Sequence, residues 1–259
     1  MKVAVLVAMA DEFPFNQIHK TIHPRLVNFY AKFGFKTFFV YGNKLGRSEK
    51  ILRSRLEALR WNKYAVFLRA FDKITLHEFK WRSPEVYREN DIIKVCVPDD
   101  IRHLSIKVIH SARLLTEQGF DFIIRTTASS ILQPELLLQS LYSFSDTDSI
   151  IYAGRRNNQP DGFSYISGSF TIWNKAAIEL IYAHKDRIDY SLIDDVSIGK
   201  FFVNHDIRPK SVKSIDICNI DAVEKLKTPN EIVHFRCKSA LKIRNDEKLM
   251  SEILDLIEI

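Results

Sequence analysis

Short apolar runs alternate along the chain with stretches of helical periodicity. A run in which nearly every residue is apolar predicts a strand that is buried on both faces of a sheet. We predict strands at 3–7, 37–41, 92–97, 122–125, 149–153, 168–173 and 211–218. Strands that alternate with helices indicate an α/β fold with a mostly parallel central sheet flanked by helices.

Helices are predicted where apolar residues recur every three or four positions. The clearest spans 103–118, and Gly119 follows it at a C-cap position. Another begins at Pro134, in the first helical position where proline is favoured. Further helices are predicted at 175–184, 196–204 and 246–257.

No linker or repeat interrupts this pattern, so the 259 residues are expected to form a single α/β domain. The least patterned stretches, 70–90 and 155–164, are predicted to be substrate-facing loops. Ligands of such a fold collect at the carboxyl ends of the strands.

The composition indicates a globular protein but does not by itself indicate its function. With 46% hydrophobic and 27% charged residues, the chain has the composition of a soluble globular protein. The net charge of +6 favours an anionic partner. Nucleic acid is one alternative, but no zinc finger, aromatic RNA-binding motif or basic helix is visible, and no nucleic-acid partner is expected.

The cysteines and the N-terminus bear on the cellular compartment. Three scattered cysteines form neither a disulfide framework nor a zinc motif, which favours a reducing compartment. Lys2 and the apolar run 3–10 could pass for a minimal signal peptide, but we interpret the run as a first buried strand. No run approaches the length of a membrane span. We therefore expect a cytoplasmic protein.

Four segments between residues 100 and 199 carry polar groups in a distinctive order. They are 100–107 (DIRHLSIK), 121–130 (DFIIRTTASS), 165–170 (YISGSF) and 194–199 (DDVSIG). The second is a buried strand that ends in small hydroxyl residues. The fourth opens a helical stretch with two adjacent carboxylates.

Together these segments resemble the fringe and β-1,3-galactosyltransferase group of GT-A glycosyltransferases, over about residues 95–205. That group has Asp-x-Tyr-x-Asn-Leu-Thr-x-Lys, a strand ending Lys-x-Asp-Asp-Asp, a Ser-Gly loop, and Glu-Asp-Val followed closely by Gly. The resemblance implies a single Rossmann-like GT-A domain, with a nucleotide-binding half at 1–125 and an acceptor and catalytic half at 126–259. It implies inverting transfer of a hexose or pentose from a nucleotide sugar, expected to be a UDP-sugar, to a glycan acceptor.

The sequence departs from this group where the metal-binding aspartates would stand. Thr127, Ala128 and Ser129 occupy that place, and neither a hydroxyl nor a methyl group replaces a carboxylate as the main ligand of a hard cation. The chain therefore looks like a microbial or viral variant without the acidic metal motif. No metal is expected, and Mn or Mg would need carboxylates from elsewhere in the chain. Alternatively, these hydroxyl residues only lead into the helix at Pro134.

Without a metal, cationic side chains must stabilise the diphosphate that leaves the donor. In the segment 234–238 (HFRCK), His234, Arg236 and Lys238 would project to one face of a strand, while Phe235 and Cys237 face inward. Arg155 is a further phosphate candidate. Alternatively, the segment is a solvated edge strand whose charges discourage aggregation.

The pair Asp194–Asp195 offers a general base for the acceptor hydroxyl. By the resemblance, Asp195 matches the catalytic aspartate, and Asp194 replaces the glutamate before it. Repulsion between adjacent carboxylates should raise the pKa of one of them. The alternative is an ordinary helix N-cap.

The resemblance also suggests contacts to the donor and the acceptor. It implies that the nucleobase lies beside the loop after the first strand, near Ala8 and Asp11, with Arg125 and Thr127 also on the nucleotide. We expect Ser129, Ser167 and Gly168 to contact the sugar or the acceptor, since glycine permits a close backbone approach. Lys107 and Arg125 match basic positions of the family; alternatively, each only pairs with a buried carboxylate such as Asp121. A non-catalytic nucleotide- or glycan-binding protein on a degenerate transferase scaffold is the main alternative, and the oligomeric state stays open.

Overall fold

The computed structural model describes residues 1–10, 14–43, 84–100, 103–145, 149–159, 162–190, 192–226, 229–239 and 244–258. The strands in these ranges are β1 Val3–Ala8, β2 Phe35–Asn43, β3 Val86–Glu89, β4 Ile92–Pro98, β5 Phe122–Thr127, β6 Ser130–Leu132, β7 Tyr152–Asn158, β8 Ser164–Asn174, β9 Lys210–Ser211, β10 Ser214–Ile217 and β11 His234–Cys237. The helices are α1 Phe15–Thr21, α2 His23–Ala31, α3 Leu104–Glu117, α4 Pro134–Ser145, α5 Lys175–Ala183, α6 Asp194–Val203, α7 Ile220–Glu224 and α8 Asp246–Ile257.

The main sheet has eight strands in the order β3-β4-β2-β1-β5-β8-β7-β9. Its centre, β4-β2-β1-β5, is parallel, and β8 joins antiparallel to β5. The chain builds outward from β1 to β2 and β4 on one side and then returns to place β5 on the other. The strand order therefore reverses between β1 and β5, which is where open α/β sheets bind ligands.

Helices cover both faces of this sheet, as the unbroken apolar runs require. Val3, Val5 and Val7 of β1 face the core under α1, α2, α4 and α8. Ala4 and Leu6, which alternate with them, face the core under α3, α5 and α6. The predicted α/β fold with a mostly parallel central sheet flanked by helices is thus confirmed.

A second, three-stranded sheet has the order β10-β11-β6. Its strand β6 follows β5 almost directly, and β11 pairs with it antiparallel. This sheet brings the end of the chain next to the carboxyl end of β5. A strand was expected at 234–238, where β11 lies, but the sheet itself was not predicted, because β6 is only three residues long.

The stretch 155–164 was predicted to be a loop, and that prediction is wrong. It contains the end of β7 and the start of β8, which pair as far as Asn158 with Ser164. The hairpin has a polar, partly exposed surface, so it lacks the apolar run on which the strand predictions relied. Of the other predicted loop, residues 70–83 lie outside the described residues, and 86–89 form β3.

The remaining predicted elements agree with the structure to within a few residues, except that the strand predicted at 211–218 is divided between β9 of the main sheet and β10 of the second sheet. The final helix begins and ends as predicted, and Gly119 follows α3 with a positive φ of 85°. The strand predicted at 149–153 begins only at Tyr152 and continues to Asn158. No helix in the described ranges is long and apolar enough to cross a membrane.

Candidate functional site

The carboxyl ends of β1 and β5 meet at the point where the strand order reverses. Ala8 pairs in register with Thr127, and both residues are partly exposed at this edge. Ala8 and Thr127, which come from different halves of the chain and were both predicted to contact the nucleotide, are thus neighbours. Asp11, predicted beside Ala8, lies outside the described residues.

The turn after β5 is held by hydroxyl groups. The Thr127 and Ser130 hydroxyl oxygens lie 2.9 Å apart, and the Ser130 hydroxyl donates to the Ser169 carbonyl oxygen at 3.2 Å. Ser129, predicted to contact a sugar, is only 3% exposed, and its carbonyl oxygen accepts the Cys237 N–H at 2.8 Å. Its side chain therefore does not reach the surface.

A buried histidine of α2 also contacts the turn after β5. His23 of α2 contacts the Ala128 carbonyl oxygen through Nε2 at 2.9 Å, so that nitrogen carries the hydrogen. Burial lowers the pKa of His23 to about 4, and its ring stacks on Phe39. The histidine is therefore neutral at pH 7, and Nδ1 accepts from His19 at 3.2 Å.

The predicted Ser-Gly loop is an irregularity inside β8. Gly154 of β7 pairs with Thr171, and Arg156 pairs with Ile166, so Arg155 alone faces the stretch 167–170. Gly154 has a φ of 139°, and a Cβ there would lie 2.2 Å from the Phe170 carbonyl oxygen. Only glycine fits this approach. Bulges of this kind re-aim side chains next to functional sites.

Asp195, at the start of α6, lies against this bulge. Its Oδ2 accepts the Gly168 N–H at 3.1 Å, and its Oδ1 accepts the Val196 N–H at 2.9 Å. Burial raises the pKa of Asp195, and the negative charge of Asp194 raises it further. The predicted repulsion is therefore present, but burial is the larger cause. A carboxylate with a raised pKa is a better proton acceptor for a hydroxyl group.

The side chain of Asp194 has a different partner from that of Asp195. Its carboxylate forms an ion pair with Arg125, and the two side chains are only 6% and 2% exposed. A Cβ on Gly168 would lie 2.6 Å from a guanidinium nitrogen of Arg125, so the glycine leaves room for this pair. Arg125 was predicted on the nucleotide and Asp194 as a catalytic partner. Both are instead buried, because each neutralises the other beneath the bulge.

Ser167 is also mostly buried. It is 6% exposed, its hydroxyl oxygen lies 3.0 Å from that of Ser169, and its carbonyl oxygen accepts the Thr171 hydroxyl at 3.0 Å. The side chain stabilises the bulge from within. At this loop the group that points toward Asp195 is therefore the backbone N–H of Gly168.

The residues after β5 do not fit a Mn or Mg site. Thr127, Ala128 and Ser129 supply no carboxylate, and Asp194 is already paired with Arg125. Within the ranges that the structure describes, no three His, Cys, Asp or Glu side chains are grouped so as to hold a metal ion.

The predicted row of cations on β11 is not a row of exposed charges. His234 is fully buried, stacks on Phe170 with ring centroids 4.7 Å apart, and places Nδ1 2.6 Å from the Ser214 hydroxyl oxygen. Burial lowers the pKa of His234 well below its usual value, with a further lowering by the charges of Arg155 and Arg236. The prediction of a cationic His234 is therefore wrong: the strand is central in its sheet, and the main sheet covers this face.

Exposure increases along the same strand. Arg236 is partly exposed and pairs in register with Ser130, next to the turn after β5, and Lys238 beyond the strand end is exposed. The charges of Arg155 and Arg236 both lower the pKa of His234, so both guanidinium groups lie near its ring. Arg155, Arg236 and Lys238 therefore leave positive charge beside the bulge and the β5 end.

Three partners of predicted residues were not anticipated from the sequence. Arg155 forms a bidentate ion pair with Asp216 of β10. Lys107 is buried in an ion pair with Asp99, which follows β4, and its Nζ lies 3.5 Å from the Met9 carbonyl oxygen. The third is His23 beneath Ala128. An acidic residue between apolar neighbours, as in Ile215-Asp216-Ile217, was the available signal for Asp216.

Comparisons with known proteins find similar solved structures but no sequence relatives. No protein-family model matches the chain, and no curated protein matches it in sequence. One similar solved structure is a glycosyltransferase involved in the glycosylation of the major capsid of PBCV-1, with 12% identity, a TM-score of 0.47, and coverage of 97% of this chain and 100% of that one.

Two further structures are more distant. Mouse xyloside xylosyltransferase 1 in its apo form has 8% identity and a TM-score of 0.40, covering 91% of this chain and 96% of that one. The 4-diphosphocytidyl-2C-methyl-D-erythritol synthase from Anaerococcus prevotii has 11% identity and a TM-score of 0.40, covering 82% and 86%. Because all three TM-scores lie below 0.5, the proposals that follow rest on this chain's own residues.

Proposed function

We propose that the protein is a glycosyltransferase that moves a sugar from a nucleotide-sugar donor to a hydroxyl group of a glycan, with inversion and without a metal ion. The observation that carries the proposal is the environment of Asp195. Its carboxylate has a raised pKa, it is oriented by the Gly168 N–H, and it lies beside the edge where the strand order reverses. The motif resemblance over residues 95–205 independently gives this residue the role of base.

In the proposed reaction, the acceptor hydroxyl oxygen attacks the anomeric carbon of the donor sugar. Its proton passes to Asp195, while the bond between the anomeric carbon and the phosphate oxygen breaks and the nucleoside diphosphate leaves. Attack from the side opposite to the leaving group inverts the configuration. Asp194 and Arg125 form a buried, mutually neutralised pair that fixes the start of α6 and hence the direction of Asp195.

The leaving diphosphate needs positive charge, and side chains supply it in this proposal. Arg155 lies opposite the bulge, Arg236 pairs with Ser130 next to the turn after β5, and Lys238 follows the same strand; guanidinium groups bind phosphate oxygens in pairs. His234 is neutral and contributes packing rather than charge. No carboxylate in the turn after β5 competes for this role.

The rest of the proposal concerns the substrates. We assign the nucleotide to the edge near Ala8 and Thr127, with Asp11 as a further candidate contact, and the transferred sugar to the backbone at Gly168. A UDP-sugar is the proposed donor, and the sugar is a hexose or a pentose. In this scheme residues 1–125 bind the nucleotide, and residues 126–259 bind the acceptor and provide the base.

Asp195→Asn should abolish transfer while the donor still binds. An amide cannot accept the proton, so we expect transfer to fall by about 100-fold or more. Donor binding is measured by thermal shift against UDP-, GDP- and TDP-sugars in EDTA; ligand at 100 times its dissociation constant stabilises a protein by about 2.7 kcal/mol. Transfer is measured as release of nucleoside diphosphate. Asp91→Asn is the matched control, since Asp91 is exposed at the turn between β3 and β4.

The alternatives correspond to different results. Transfer by Asp195→Asn at the wild-type rate would show that another group is the base. Binding of a nucleotide sugar without turnover by the wild-type protein would favour the non-catalytic binder. Binding that EDTA removes would mean that carboxylates outside the turn after β5 hold a metal ion.

A further inference from the structure

Arg155, to which we assign the donor diphosphate, already forms an ion pair with the carboxylate of Asp216. Nη2 of Arg155 lies 2.6 Å from Oδ2 of Asp216, and Nη1 contacts Oδ1, so both arms of the guanidinium group are engaged. Two parallel N–H···O bonds are also the geometry in which arginine holds phosphate oxygens. Asp216 therefore presents to Arg155 the same pattern of acceptors that a diphosphate would.

The surroundings of this ion pair are otherwise positive. Asp216 pairs in register with Arg236 on the neighbouring strand. Arg155 and Arg236 both lower the pKa of His234, which places both cations close to that ring. In the described part of the chain, no other carboxylate forms a salt bridge with Arg155 or Arg236. Asp216 thus halves the charge of a site that would otherwise carry two guanidinium groups.

The pair is also exposed enough to open. The side chains of Arg155 and Asp216 are 24% and 37% exposed, so water can replace either partner. Water and salt screen the attraction between two partly exposed charges, so such a pair is held less firmly than a buried one. A ligand with several phosphate oxygens can therefore displace Asp216 from Arg155 at small cost.

We infer that Asp216 is a displaceable counter-ion, which occupies Arg155 in the free protein and yields it to the diphosphate of the donor. This inference rests on the proposed function, because it takes Arg155 as a phosphate ligand. Asp216 then weakens the binding of all anions at this place. An anion that engages both Arg155 and Arg236 overcomes this competition, whereas one that contacts a single arginine does not. A diphosphate is of the first kind, and a single inorganic phosphate is of the second.

Asp216→Asn tests the inference with UDP and inorganic pyrophosphate as probes, measured by calorimetry at one fixed ionic strength. Removing the competing charge should tighten the binding of both probes about two- to fivefold, as expected for the loss of a solvent-exposed ion pair. Inorganic phosphate, titrated as a third probe, should gain by about the same factor from its weaker starting affinity, because every anion that takes Arg155 must displace the same counter-ion. Asp216→Ala repeats the measurement without the amide, which could still accept from Arg155.

Glu231→Gln is the matched control. Glu231 pairs with Lys213 at a distance of 2.5 Å, both side chains are more than half exposed, and the substitution changes the net charge equally. We expect it to change affinity less than about twofold. In the double variant Arg155→Met/Asp216→Asn, the gain from Asp216→Asn should disappear, because the two residues act as one pair.

The remaining outcomes contradict either the inference about Asp216 alone or the proposed function as well. Equal or weaker binding by both Asp216 variants would overturn the inference and make Asp216 a residue that orients Arg155. An equal gain in Glu231→Gln would reduce the effect to net charge and also overturn it. In both cases wild-type binding of UDP leaves the proposed function standing. If UDP, GDP, TDP and pyrophosphate bind neither the wild-type protein nor the variants, the proposed function fails as well.

Discussion

Two arginine–aspartate pairs flank the bulge of β8, and they differ mainly in exposure. Arg125 and Asp194 are 2% and 6% exposed, whereas Arg155 and Asp216 are 24% and 37% exposed. The first pair lies beneath Gly168, and the second lies beside it at the surface. A guanidinium–carboxylate pair therefore occurs once in the buried interior and once in contact with solvent.

Burial decides what each pair can do. A buried ion pair has lost its hydration, so neither partner can leave without exposing an uncompensated charge to an apolar interior. An exposed pair exchanges its partner for water or for an anionic ligand at little cost. The buried pair is thus suited to fix the position of α6, and the exposed pair is suited to bind and release.

The largest expected effect comes from breaking the buried pair. Arg125→Met should lower the free energy of unfolding by about 3–5 kcal/mol, because it leaves Asp194 buried without a partner. Chemical denaturation of the purified protein measures this loss. Arg125→Met/Asp194→Leu should recover part of it, since no unpaired charge is left. A loss below about 1 kcal/mol would mean that water reaches the pair and that the contrast in burial is not functional.

An intermediate effect is expected at the glycine between the two pairs. In Gly168→Ala the new methyl carbon would lie 2.6–2.8 Å from three guanidinium atoms of Arg125, which must then move. Overpacking of this kind costs about 1–3 kcal/mol of unfolding free energy. The same substitution in the Arg125→Met background should cost less, as the double-mutant cycle by denaturation would reveal. Equal costs in the two backgrounds would place the strain elsewhere.

The smallest effect on stability is expected from the exposed pair. Arg155→Met should change the free energy of unfolding by less than about 1 kcal/mol, and that change should shrink further in high salt. Its effect on UDP affinity should be larger, about tenfold or more, because a charge-assisted hydrogen bond to phosphate is lost. A large loss of stability with unchanged UDP affinity would reverse the roles that we assign to the two pairs.

Sequence patterns predicted the parts of the fold that bury apolar residues on regular elements. The strands β1 and β5 and the helix α8 are examples, because their side chains alternate or recur with the period of the element. The ends of β7 and β8 that form the hairpin, 154–158 and 164–167, escaped prediction because they carry polar residues and pair with each other rather than follow an apolar run. His234 was predicted to face solvent because periodicity assigns a residue to a face of a strand but does not say what covers that face.

The candidate site was predictable to a similar degree. The order of motifs predicted that Thr127, Gly168 and Asp195 belong together, and the structure places Gly168 on Asp195. The partners Asp194 for Arg125 and Asp216 for Arg155 were not predictable, because each pair joins residues about sixty to seventy positions apart in the chain. Such choices depend on strand order and on side-chain reach, which composition and spacing do not encode.

The pairing of β11 with β6 has a consequence for the synthesis of the protein. The strand that carries Arg236 attaches to backbone that is translated about a hundred residues earlier, through bonds such as that from the Cys237 N–H to the Ser129 carbonyl. A growing chain can therefore assemble β1, β2, β4 and β5 while this edge is still open. Residues 234–238, to which the proposed function assigns part of the diphosphate site, leave the ribosome after the other residues of that site, so in this scheme the nascent protein still lacks a complete donor site.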